Sequence, residues 1–296
     1  MSPGQPARVP RRPPARIPER VVWVDGELRR GREATLSVFD RGARDGEGLF
    51  ETVRVHRGQP FLWERHLERM VLSAAELGFP VPASPGELRE GLEQVLAAAA
   101  LDEAAVRLTI TRGIPGARPT RSGAWVDAEA LSARLWSGTR RGGARLVCSR
   151  IAFEPGWIGR HKTTSRIGYH LAREEARALG ADEALLVSPS GEVLEGTASN
   201  LFAVRAGRLL TPPLKSNVLP GIVRAWVMRT APSLGLPVDE AALGVGALIE
   251  SDELLLTNSL QGVVSVAALD GAPIRPGPIG ERLRQRHAEA LERNER

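Results

Sequence analysis

The sequence is poor in several residue types, and each scarcity narrows its chemistry. A single cysteine, Cys148, excludes an internal disulfide and a cysteine-clustered metal site, and fits a reducing cytoplasm. The five histidines do not fall at metal-ligand spacings. The longest apolar runs, such as LAAAAL from Leu96 to Leu101, fall well short of the roughly 20 residues that span a bilayer, so no membrane segment is expected. Phosphate-loop, dinucleotide-loop, zinc-protease and nucleophile-elbow patterns are all missing, which removes sequence support for hydride transfer and zinc hydrolysis. Aromatic residues make up only 4%, with one tyrosine, Tyr169. Of 40 basic residues only Lys162 and Lys215 are lysine; the other 38 are arginine.

What remains is the composition of an ordinary globular protein, 42% hydrophobic and 25% charged, and at 296 residues long enough for two packed lobes. The net charge of +5 is offset by 35 acidic residues spread among the basic ones. A dedicated nucleic-acid binder would interleave aromatic with basic residues or carry a helix with one basic face, and neither is evident. Residues 1–20 are proline- and arginine-rich without apolar periodicity and read as a solvated tail, with no signal-peptide pattern.

After the tail, VVWVDGELRR reads as a hairpin turned at Asp25-Gly26, and LFETVRVHRGQPFLW as two strands turned at Arg57-Gly58. Leu67, Met70, Val71, Ala74 and Leu77 form a helical stripe that Gly78 ends. Residues 85–100 read as a second helix, and AAVRLTITRG as a strand. The glycine-rich segment 137–144 is the expected linker between an N-terminal α/β domain, 21–136, and a C-terminal domain, 145–296. In the second domain a helix is expected from Ser165, as its cap, to Gly180, then short strands, a helix near Pro220, a strand at ELLLTN and a charged helix after Gly280. The class is α/β or α+β with mixed sheets.

Lys162 in GRHKTTSRIGYH is the candidate of interest. Arginine stays protonated, whereas a part-buried lysine amine loses its proton and attacks a carbonyl to form a Schiff base. Without context, Lys162 would read as a surface lysine, Arg69 as a solvated helix residue and Glu195 as an exposed strand residue.

The context is supplied by SVFDRGARDGEGLFETVRVHRG, HLERM, HKTTSRIGYHLAREEARALGADEALLVSPSGEVLEGTASNLFAV, LLTPP, VLPGIVR and SDELLLTNSLQGVVSV. In this order they resemble the class IV aminotransferase family, the fold-type IV pyridoxal-phosphate enzymes, from about Val22 to the C-terminal helix. The resemblance implies a two-lobe fold, an N-terminal α/β sandwich and a C-terminal mixed-sheet pseudo-barrel domain that binds pyridoxal 5′-phosphate, in a homodimer. It implies that Lys162 carries the cofactor and that Glu195 pairs with its pyridine nitrogen. Arg69, the backbone of Gly221, Ile222 and Val223, and Ser259 would hold its phosphate. Lys215 receives no role.

Three departures stand out. Val223 replaces a hydroxyl-bearing residue, so only backbone donors remain there. Tyr169 lies seven residues beyond Lys162 where the family often has a tyrosine five beyond, about 200° away around a helix. Asp45 replaces an aromatic, which should make the substrate pocket more polar. For the reaction, TNSLQGV and Arg166 resemble the aminodeoxychorismate lyase pattern. The first expectation is therefore a lyase that forms 4-aminobenzoate and pyruvate from a small anionic substrate, with Arg54, Arg118, Arg166, Tyr169 and Leu260 as substrate-binding candidates. The alternative is an aminotransferase of D-amino or branched-chain amino acids. A third reading, from another class, is a basic nucleic-acid-binding protein that uses the tail.

Overall fold

The structure is a computed structural model that describes residues 19–116 and 123–295. The N-terminal tail up to residue 18 and Arg118 lie outside the described residues. The first lobe holds strands β1 (Val21–Val24), β2 (Glu27–Arg30), β3 (Gly48–His56), β4 (Gln59–Pro60), β5 (Ala104–Thr111) and β6 (Ala124–Ala130), with helices α1 (Arg41–Arg44), α2 (Trp63–Leu77) and α3 (Pro85–Ala99). The strands form one antiparallel sheet in the order β2-β1-β6-β5-β3-β4.

Because side chains alternate along a strand, β3 sends Leu49, Glu51, Val53 and Val55 to one face and Phe50, Thr52, Arg54 and His56 to the other. The first face meets α2 and α3 in a core that includes Trp23, Val53, Met70, Ala74 and Leu92, together with Val106, Leu108 and Ile110 of β5. The sequence accounts for both helix boundaries between α2 and α3. Gly78 takes a left-handed conformation (φ 65°) after α2, and Ser84 accepts from the Glu87 amide in a capping box before α3. The turns at Asp25-Gly26 and Arg57-Gly58 have positive φ at both positions, as tight hairpins require.

The second lobe holds β7 (Ala144–Ala152), β8 (Glu183–Val187), β9 (Val193–Gly196), β10 (Asn200–Arg205), β11 (Arg208–Thr211), β12 (Val238–Glu240), β13 (Glu253–Asn258), β14 (Gly262–Leu269) and β15 (Ala272–Pro273). Its helices are α4 (Ser137–Arg140), α5 (Ile167–Ala178), α6 (Ile222–Thr230), α7 (Val245–Ile249) and α8 (Pro278–Glu292). The sheet is mixed, in the order β12-β11-β10-β13-β14-β7-β8-β9, with β15 on β14. A turn after β9 returns the chain to β10, where Asn200 reaches back to Glu195. One face packs on α6 and α8 through Phe202, Val204, Leu255, Trp226 and Leu283.

The structure corrects two local expectations. Ser165 does not cap α5: its hydroxyl donates to the Gly46 carbonyl (3.0 Å), and the helix begins only at Ile167 after Arg166. The last helix starts at Pro278 and contains Gly280, where a Cβ would lie 2.5 Å from Leu255 Cδ2; the glycine serves close packing, and the helix runs through it. The segment 137–144 includes the helical turn α4.

A similar close approach in the first lobe gives a test. A Cβ on Gly91 of α3 would lie 2.6 Å from the buried Trp23 indole, whereas one on Gly86 would have only Ser84 Oγ at 3.9 Å. Gly91→Val is expected to destabilise by about 1–3 kcal/mol and to lower the thermal midpoint, with Gly86→Ala near neutral. Equal midpoints for the two variants would contradict this packing.

Candidate active site

The site forms where the two lobes meet. The first half of β3 has an edge that β4 does not cover, because β4 pairs only with Val55 and His56. Residues 162–164 fill that edge, with Thr163 opposite Leu49. The Phe50 amide donates to the Lys162 carbonyl (2.9 Å) and the Thr164 amide to the Gly48 carbonyl (2.8 Å). Gly48 permits the approach, since a Cβ there would lie 2.8 Å from Thr164 Oγ1. Lys162, a second-lobe residue, is thereby fixed against the first lobe, with Nζ 4.6 Å from the centre of the Phe50 ring. The Arg107 guanidinium of β5 lies 3.7 Å from the centre of the same ring.

Burial, together with the nearby Arg166 and Arg69 charges, pushes the Lys162 amine down to about 7, against the pull of Glu51 and Glu195. Glu195 on β9 is 4% exposed. Its Oε2 accepts from Asn200 Nδ2 and from the Leu219 amide, both at 3.1 Å. Burial pushes its carboxyl up to about 7, opposed by Arg166 and the Leu219 amide. The turn that follows is anchored by buried Glu183, which accepts from the Thr197 and Ala198 amides and the Ser199 hydroxyl.

Arg69 stands at the start of α6, donating from Nη1 to the Pro220 carbonyl (2.9 Å). Its other nitrogens bind Glu51 (Nε 2.8 Å, Nη2 2.5 Å). Glu51 also bonds His66 Nδ1 (2.7 Å), and His66 Nε2 lies 3.5 Å from Ser259 Oγ. Burial alone would raise the Glu51 carboxyl, but Arg69 and His66 outweigh it and bring it to about 2. Gly221 precedes α6, and the opening amides of a helix have no intrahelical acceptor. Val223 is buried at 2% exposure. On β13 the Thr257 hydroxyl, paired across from Asn200, is buried without a hydrogen-bond partner.

Arg69, the open end of α6, an amine poised near neutrality and a buried carboxylate are a donor set suited to pyridoxal 5′-phosphate. The phosphate would go to Arg69 and the α6 amides, the aldehyde carbon to Lys162 and the ring nitrogen to Glu195.

The remaining candidates divide. Arg166 joins the site: Nη2 donates to the Thr197 carbonyl (3.3 Å) and its guanidinium lies 3.4 Å from the centre of the Tyr169 ring. Tyr169 is buried, packs edge-on against Phe153, and neighbours Glu195 and Arg166 closely enough for both to bear on its hydroxyl. Helical rotation does not turn it away from the site, because residues 162–166 precede α5. Arg54 is committed elsewhere, to Glu103 and to the Leu260 carbonyl (3.4 Å), and holds the loop that carries Leu260. Asp45, expected to make the substrate pocket more polar, sits at an exposed turn 3.7 Å from Arg41. Sequence reasoning missed Glu51, His66, Asn200 and Arg107. The alternation in β3 and the spacing of His66 and Arg69 on α2 carried a signal for the first two.

Among the described residues no cluster suited to a metal ion is found, and no helix is long and apolar enough to cross a membrane.

Two outcomes are expected. Cofactor-free protein should capture pyridoxal 5′-phosphate covalently at a rate that rises as pH passes through about 7 and then levels, because the neutral amine is the reactive form. A rate still climbing near the ordinary lysine value of 10.5 would contradict the buried amine. Gly221→Ala would drive a Cβ into Asn200 Oδ1 and displace the amide that holds Glu195. It should weaken cofactor binding by about tenfold or more, as expected when a buried hydrogen bond to a charged group is lost, measured by equilibrium titration.

Comparison with known proteins agrees with this site. The family model for amino-transferase class IV matches residues 48–269. A putative branched-chain-amino-acid aminotransferase of Methanocaldococcus jannaschii is 31% identical over 88% of this chain and 91% of its own length. A D-alanine aminotransferase of Listeria monocytogenes is 29% identical over 92% and 96%. A branched-chain amino acid aminotransferase from T.th., solved with pyridoxamine 5′-phosphate, superposes with a TM-score of 0.85 at 31% identity, covering 94% of this chain and 96% of that one. The chain belongs to the class IV aminotransferases, and is a pyridoxal-phosphate enzyme of fold type IV.

Proposed function

We propose that the protein is an amino acid aminotransferase that acts on branched-chain amino acids, with D-amino acids as the second reading. The observation that carries the proposal is the Lys162 amine, brought to about 7 by burial and by Arg166 and Arg69, beside the apolar face of Phe50. An amine with that proton affinity is suited to general acid–base work at neutral pH. The similarity to aminotransferases named for branched-chain amino acids supports the first reading, and the similarity to D-alanine aminotransferases supports the second.

The lyase expectation gives way to this reading. Asn258 of the TNS motif turns its Oδ1 to the Leu260 and Gln261 amides (3.0 and 2.9 Å) and its Nδ2 to Gln261. The motif therefore has a structural use as a loop cap that does not depend on a lyase substrate.

The bound cofactor supplies a ring that draws electrons from the substrate's amine-bearing carbon. In our reading Lys162 Nζ would accept the proton that leaves that carbon and later release it, so a single amine would serve as base and then acid. Glu195 holds a compensating charge at the ring nitrogen, and Asn200 and the Leu219 amide orient it. Arg69 and the α6 amides would hold the phosphate. Arg166 and Arg107 offer positive charge for the substrate carboxylate, with Phe50 as an apolar wall.

The test offers the purified holoenzyme L-leucine, L-valine, D-alanine and aminodeoxychorismate separately. Pyridoxamine 5′-phosphate should form with the branched-chain donors, and Lys162→Ala should lower turnover by about 10²–10⁴-fold. Turnover of D-alanine alone would select the second reading. Release of 4-aminobenzoate without transamination would overturn both.

A further inference from the structure

Outside the interlobe site, a cleft of ≈ 530 Å³ runs between α2 and α6. It is lined on α2 by Arg65, Leu72 and Glu76 among others, on the approach to Lys162 by Arg160 and His161, and on the α6 side by Lys215 and Arg229. Neither Lys162 nor Glu195 reaches it, so it is separate from the place proposed for the cofactor. The two sites share a wall in Arg69, Pro220 and Ile222.

Its charge is lopsided. Glu68 is engaged by Arg65 (3.2 Å) and Glu76 approaches His161 Nε2 (3.4 Å). Arg160, Lys215 and Arg229 have no ion pair among the described residues. Lys215 is the second of the two lysines in this arginine-dominated chain. His161 is 4% exposed and bonds Ser73 through Nδ1 (3.1 Å), but its Nε2 is buried without a hydrogen bond, since the Glu76 contact lacks the geometry of one. A buried polar atom left unpaired is costly unless something else meets it. The floor is apolar, and Leu72 and Leu214 remain exposed there, at 58% and 36%.

We propose that this cleft binds a small phosphomonoester: a dianionic head held by Arg160, Lys215 and Arg229, and an organic body laid over Leu72, Leu214 and Val218. The volume falls in the range of small-molecule pockets, roughly 300–1,000 Å³. Three cations without an ion pair among the described residues, all lining one cleft, suit a dianion better than a neutral ligand. Arg69 and Ile222 belong to both walls, so the cleft adjoins the phosphate end of the interlobe site. Which amino acid is transaminated has no bearing on this cleft.

Holoenzyme whose cofactor has been fixed by borohydride is titrated with phenyl phosphate by calorimetry, so that the cofactor's own phosphate place is already filled. One saturable site per chain is expected, with a rise in thermal midpoint and weaker binding of inorganic phosphate and of phenol. Lys215→Ala and Arg229→Ala should each weaken binding by about tenfold, the loss of one charge-assisted contact, while a change at exposed Arg293, Arg293→Ala, leaves it unchanged. The absence of saturable binding, or equal binding by the Lys215→Ala/Arg229→Ala double variant and the parent, would overturn the proposal. Either result is independent of whether the enzyme transaminates any donor.

Discussion

The pairing of residues 162–164 with the uncovered edge of β3 is the constraint on which the site depends. Two backbone hydrogen bonds carry it, from the Phe50 amide to the Lys162 carbonyl and from the Thr164 amide to the Gly48 carbonyl. They join a first lobe with its core beneath α2 and α3 to a second lobe packed between the mixed sheet and α6 and α8, a core that Phe61 and Leu62 of the first lobe also enter. An exposed strand edge is ordinarily a liability. Here it is covered by the segment that carries Lys162, so the lobe junction and the placement of that amine are the same interaction. Thr164 and Ser165 hydroxyls on the Gly46 carbonyl fasten the segment further.

Around that junction the protein buries charge in matched groups. Glu51 is almost fully buried but is bound by Arg69 and His66, which keeps it ionised. That carboxylate orients Arg69 toward the start of α6, where the Pro220 carbonyl takes its remaining nitrogen. Glu195 has weaker compensation, two hydrogen bonds to Oε2, and its carboxyl rises to about 7. Lys162 moves in the opposite direction to the same range. A positively charged ring nitrogen near Glu195 would favour its ionised form, and a cofactor joined to Lys162 would remove the burial penalty on the free amine. The two perturbed groups are therefore matched to the two ends of one cofactor ring.

Much of the fold was legible in the sequence because local chemistry and tertiary structure agree. Asp25-Gly26 and Arg57-Gly58 turn the hairpins, Gly78 ends α2, and the Ser84 capping box opens α3. What failed did so for tertiary reasons. Ser165 reads as a helix cap but is drawn to Gly46 across the lobe junction, which delays α5 and places Tyr169 beside Glu195. Arg54, a substrate-binding candidate, is paired with Glu103 in the turn before β5, a partner that sequence distance hides. Asn200 and Arg107 gave no local signal: their roles follow from which strand lies beside which, and that register is set across the sheet.

The covalent chemistry of one amine is the most direct test. Purified protein loaded with pyridoxal 5′-phosphate, reduced with borohydride, digested and mapped by mass spectrometry should carry the phosphopyridoxyl group on Lys162 and on no other residue. An adduct on Lys215 in its place, or no adduct at all, would contradict the central claim.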